Sequence, residues 1–141
     1  MGKTYQSTVV EAPAAEVWKT IRDFHDMSWA PNVITKVEAV GGQKGDQTGA
    51  RRVLNDAFHE TLLELDDSGR LIRYSIDQGP PPVSSSDVKN YEGVLRLLPV
   101  TEDGTTFVEW SSSWQNNDQA CAEFCQGIYV ALLADMKQHF S

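Results

Sequence analysis

The feature that most restricts this fold is a succession of β-segments closed by one long helix. Residues 50–56, 58–66, 71–78, 88–100 and 105–115 are strand-like runs, and Asp67-Ser68-Gly69 and Asp103-Gly104 supply turns between them. Only residues 79–87, GPPPVSSSD, form a long connection, read either as a lid or as a plain loop. Residues 118–140 then carry Cys121, Phe124, Cys125, Ile128, Leu132 and Met136 at helical spacing, with Tyr129, Leu133 and Phe140 widening the stripe and Asn117 and Asp118 as caps. Strands joined by short turns lie antiparallel, and their apolar face needs a cover. The long helix provides it, so the expected class is α+β, an antiparallel sheet wrapped on a helix.

The first fifty residues add to this plan. Residues 4–11 read as a strand, and Pro13 opens a short amphipathic helix in which Val17, Ile21 and Phe24 share a face. HDMSWAPNV (25–33) reads as a second, broken helix or a turn. A further strand at 34–40 leads into GGQKGDQTG, which lacks the Gly-Lys-Ser/Thr of a phosphate cradle and runs into a strand instead of a helix, so it reads as a hairpin.

Charge and composition exclude several functions. The chain has 141 residues, enough to bury a substantial core as one domain over 1–141. Its formal net charge of -8, with no Lys/Arg cluster, argues against nucleic acid as a partner. The start MGKTYQSTVV has no apolar signal core, and no run is long enough to span a membrane. Gln6 stands where a myristoylation signal wants Ser or Thr. We therefore expect a cytoplasmic protein without integral membrane association, a monomer or homodimer. Cys121 and Cys125, one helical turn apart, suit reduced thiols on a helix better than a disulfide.

Residues 90–115 mix large rings with very small residues on one face. Alternation puts Tyr91, Gly93, Leu95 and Leu97 on the buried side of one strand, and Val108, Trp110, Ser112 and Trp114 on the side of the next that confronts the helix. Gly93 and Ser112 leave volume where a close-packed core places aliphatics. Two readings follow: a ligand pocket, or a filled core in which Gly93 accepts a neighbouring aromatic ring.

Several strings in order, VEAPAAEVWKTIRDF, KGDQTGARRVL, ETLLELDDSGRLIRYSI and NYEGVLRLLPV followed by VEWSSSW, resemble the START-like helix-grip superfamily. This is the SRPBCC or birch-pollen-allergen-like group, and the chain is most similar to its polyketide cyclase/dehydrase-like branch over essentially its whole length. The resemblance implies a seven-stranded sheet curled around the C-terminal helix, two short helices after the first strand, and a cavity for a small apolar or amphipathic molecule. By similarity to the plant abscisic acid receptors and lachrymatory-factor synthases, Glu60, Tyr74, Ile76, Tyr91, Gly93 and Trp110 match pocket-facing positions, as do Phe124 and Ile128, and Arg52 matches an arginine on the neighbouring strand. The receptors' long gate loop is missing, since only residues 53–59 separate Arg52 from Glu60.

Glu60 is the sharpest chemical candidate. It alternates with Phe58 and Leu62, so burial would raise its pKa, while Arg52 could pair with it. A purely structural ion pair is the competing account. Tyr74 and Tyr91 could orient a carbonyl or hydroxyl, or serve as ordinary core. His25, His59 and His139 have no zinc-like spacing, and no nucleophile motif appears. The expectation is ligand binding by Tyr74, Ile76, Tyr91, Gly93, Trp110, Ser112, Phe124 and Ile128 without cofactor or metal. The alternatives are a cofactor-independent cyclase, dehydratase or isomerase using Glu60 and Arg52, and an interaction module with a filled cavity.

Overall fold

The computed structural model describes residues 1–116 and 118–141. Its elements run β1 (Gly2–Val10), α1 (Ala14–Ile21), β2 (Val37–Val40), β3 (Arg51–Leu54), β4 (Phe58–Asp66), β5 (Leu71–Gln78), β6 (Lys89–Pro99), β7 (Thr106–Gln115) and α2 (Asp118–His139). The seven strands form one sheet in the order β1-β7-β6-β5-β4-β3-β2, and every pairing is antiparallel. This is the antiparallel sheet that the strand succession indicates, in the helix-grip architecture that the resemblance implies. The Asn117 half of the anticipated cap lies outside the described residues.

Alternation in β6 and β7 falls as the sequence pattern indicates. Tyr91, Gly93, Leu95 and Leu97 are buried, as are Val108, Trp110, Ser112 and Trp114. The helix α2 covers this face with Cys121, Cys125, Tyr129, Leu132, Leu133 and Met136, each large apolar side chain contributing about 1.5–3 kcal/mol on burial.

Helix α1 begins one residue later than the proline rule suggests, with Pro13 at the N-cap in an extended conformation. Glu16 in its first turn complements the helix dipole. Its buried face is Ala14, Val17, Trp18 and Ile21, and Asp67 in the β4–β5 turn pins it by accepting from Trp18 Nε1 (2.8 Å) and Arg22 Nε (2.9 Å).

One expectation needs correction, because only one of the two short helices forms. The chain from 22 to 36 is a set of turns, held by Ala30 N to Met27 O and Ile34 N to Ala30 O. Asp26 accepts from Ser28 N and Oγ, a local alternative to helical bonding, and Pro31 has no N–H to continue a helix. The turns are fixed from outside. Asp135 of α2 accepts from Asn32 N (2.9 Å) and Nδ2 (2.8 Å), and Asn55 bonds Thr35 N and Val33 O. These braces place Val33 and Ile34 over the gap between sheet and helix.

Candidate functional site

Between the curved sheet and α2 lies a cavity of about 190 Å3. It is lined by β3 (Arg52, Leu54), β4 (Phe58, Glu60), β5 (Tyr74, Ile76), β6 (Tyr91), β7 (Trp110) and α2 (Cys125, Ile128, Tyr129, Leu132), with Met27, Val33, Ile34 and Asn55 from the loops. The half-buried residues are Val33, Ile34, Asn55, Phe58, Ile76 and Ile128, so the mouth is mainly apolar. The floor is different, since it carries the ionic and phenolic groups, while Asn55 at the mouth spends its amide on Thr35 N and Val33 O.

The first polar group is an ion pair. Arg52 and Glu60 are Cα partners across β3 and β4 and are each 6% exposed. Arg52 Nε (2.8 Å) and Nη2 (2.7 Å) both meet Oε1 of Glu60, while Nη1 donates to Phe24 O at 2.9 Å and contacts Met27 Sδ at 3.4 Å. The guanidinium also lies 3.7 Å from the centre of the Phe24 ring, a cation–π contact. Burial pushes the Glu60 carboxyl above its ordinary range, and Arg52 pulls against that shift. Oε2 accepts no hydrogen bond among the described residues.

The second group is a chain of hydroxyls. Trp110 Nε1 donates to Tyr74 Oη at 3.0 Å. Tyr74 Oη lies 2.8 Å from Tyr129 Oη, which lies 2.6 Å from Tyr91 Oη. Burial raises the pKa of all three phenols, so they remain protonated donors. The sequence offered little sign of Tyr129 as a functional group, because in a helical stripe it reads as core. Cys125, next along the same face, was read only as a buried thiol. Its sulfur stands 3.7 Å from that of Cys121, and both thiols are free.

Three residues expected to bind the ligand, Gly93 and Phe124 by resemblance and Ser112 by strand alternation, do not line this cavity. At Gly93 the space is taken, because a Cβ there would run into the Tyr74 ring; the glycine receives a neighbouring aromatic ring. Ser112 Oγ lies 2.6 Å from Thr4 Oγ1 and bridges to β1. Phe124 is half-buried and stacks on Phe58, ring centres 6.3 Å apart. Arg52, Glu60, Tyr74, Ile76, Tyr91, Trp110 and Ile128 do converge on the cavity. His25 is tied to Arg51 O at 2.9 Å instead of facing the cavity, and His59 is exposed. No residue of 79–87 is among the lining set, and Val83 at its centre is buried in the core.

Known proteins share this fold. A solved structure from Nitrosospira multiformis is 50% identical, with a TM-score of 0.96 over 99% of this chain and 96% of its own. The protein XoxI from Bacillus cereus is 26% identical, with a TM-score of 0.82 over 99% and 96%. Ginseng major latex-like protein 151 from Panax ginseng, at 12% identity, shares the fold with a TM-score of 0.78 over 99% and 97%. No curated protein sequence matches. Among the described residues no helix is long and apolar enough to cross a membrane. Residues 1–141 match the family described as polyketide cyclase / dehydrase and lipid transport, and the chain belongs to that family.

Proposed function

We propose that residues 1–141 act as one domain that binds a small, mainly apolar or amphipathic molecule between the sheet and α2. The observation that carries this reading is the cavity of about 190 Å3 with an apolar mouth and a polar floor. Binding sites combine these features, apolar walls for affinity and a few placed polar groups for orientation. An interaction module with a filled core has no use for such a space. Native mass spectrometry of the purified protein, repeated after mild denaturation, tests the idea. A small-molecule adduct lost on unfolding is expected, and Ile128→Trp, which narrows the mouth, should abolish it while changing stability by less than about 1 kcal/mol. A spectrum still bare after incubation with a varied apolar library would return us to the interaction module.

A second reading is supported by the Oε2 of Glu60. A carboxyl raised by burial, with one oxygen held by Arg52 and the other unengaged, is suited to giving and taking a proton. Cofactor-independent cyclisation, dehydration or isomerisation then follows, with a tyrosine hydroxyl holding the developing oxyanion. The tyrosines suit that role better than Arg52, whose charge Glu60 neutralises and whose Nε and Nη1 already donate to Glu60 and Phe24 O. Turnover lost in Glu60→Gln with binding retained would select the enzyme.

A further inference from the structure

Counting hydrogens on the cavity floor narrows the ligand. Tyr74, Tyr91 and Tyr129 bring three hydroxyl hydrogens, and the two contacts among them use two. Trp110 supplies its own hydrogen to Tyr74 and can only donate. One hydroxyl hydrogen is therefore surplus however the chain is ordered. Cys125 flanks Tyr91 as a local taker for it, and a carbonyl oxygen entering the cavity competes with this weak acceptor. The tyrosine cluster is a net donor.

Glu60 supplies the opposite need. Both Arg52 contacts fall on Oε1. Among the described residues, the enclosed side-chain atoms lacking a partner are Gln6 Oε1, Trp29 Nε1 and Trp114 Nε1. Oε2 of Glu60 is not among them, so it meets open space, and the space that Glu60 lines is this cavity. An unengaged carboxylate oxygen is a strong acceptor. Charge sets the third condition. Arg52 is the one cation among the described lining residues and its charge is already neutralised by Glu60, so an anionic ligand meets no net positive charge there and is repelled by Glu60.

Resting on the cavity reading above, we propose that the site takes a neutral, ring-sized hydroxyketone. Its carbonyl oxygen accepts the surplus tyrosine hydrogen, its hydroxyl donates to Oε2 of Glu60, and carboxylates are turned away. Size agrees with this, because a dry cavity of about 150 Å3 admits benzene, and 190 Å3 leaves room for a ring with short substituents. A long-chain fatty acid fails on both volume and charge.

Calorimetric titration of five matched probes tests the proposal: para-hydroxyacetophenone, acetophenone, para-ethylphenol, ethylbenzene and para-hydroxybenzoate. The hydroxyketone should bind tightest, with acetophenone and para-ethylphenol each about tenfold weaker, ethylbenzene weaker again, and para-hydroxybenzoate at least about tenfold weaker than the ketone it resembles. In Glu60→Gln, checked for folding by circular dichroism, the Arg52 charge is no longer neutralised and para-hydroxybenzoate should overtake para-hydroxyacetophenone. If that variant does not fold, the ranking on the unaltered protein decides alone. Ethylbenzene binding as tightly as the hydroxyketone, or para-hydroxybenzoate binding as tightly in the unaltered protein, would overturn the assignment while leaving the cavity reading intact. Binding of none of the five would overturn the hydroxyketone assignment, and the cavity reading would then be decided by the mass-spectrometric test above.

Discussion

The concave face of the sheet has two halves that handle space in opposite ways. Across β1, β7, β6 and β5 runs the row Thr4, Ser112, Gly93, Tyr74. It contains very small residues, yet Thr4, Ser112 and Gly93 do not line the cavity, because the Tyr74 ring lies over Gly93 and the Thr4 and Ser112 hydroxyls bond each other. Across β3, β4 and β5 runs the row Arg52, Glu60, Ile76. Its side chains are long, and the cavity lies over them. Small residues beside a large ring are filled by that ring, whereas long side chains clamped to each other hold space open. The cavity is defined by who restrains whom.

The largest effect should come from breaking the clamp. Arg52→Ala leaves the buried Glu60 carboxyl unpaired and should cost about 3–5 kcal/mol in urea denaturation at neutral pH. The pH dependence identifies the group. Burial raises the folded pKa of Glu60 above its unfolded value, so the folded state keeps a proton that the unfolded state has released. Its contribution is full below the unfolded pKa and is lost as pH rises through the folded one. Removing Arg52 extends that window upward, so the cost of Arg52→Ala should shrink toward about pH 4. A cost independent of pH would assign it to lost packing instead.

The filled half should respond next. Gly93→Ala places a methyl against the Tyr74 ring and should cost about 1–3 kcal/mol. In a Tyr74→Leu background, thermal melts should show most of that cost gone; persistence would locate the clash elsewhere. The smallest effect belongs to the hydroxyl bridge. Ser112→Ala should cost about 1 kcal/mol by leaving the Thr4 hydroxyl unpaired, and Thr4→Val combined with Ser112→Ala should recover part of it. Equal losses in the single and double variants would mean the bridge carries no coupling.

Much of the fold was legible in the residues. Alternation named the buried faces of β6 and β7, turn residues marked the hairpins, and a sustained helical stripe marked α2, all because local sterics and a two-phase partition of side chains act over a few neighbouring residues. Turns rather than a helix at 22–36 were harder to read, since their bracing comes from Asp135 and Asn55, far along the chain. The pairing of Arg52 with Glu60 was also within reach, eight residues apart across one hairpin.

What only the tertiary structure decided is where the face stays open. Gly93 and Ser112 looked like vacant volume in the strand pattern, and Tyr129 looked like core. Their roles depend on how the curved sheet aims Tyr74 across one strand and brings a helix residue to within 2.8 Å of its hydroxyl. Alternation assigns a side chain to a face but not to a neighbour. Curvature and helix placement are collective outcomes of packing, so the sequence by itself determined the layers and their buried sides, and the assembled sheet and helix decided which groups meet.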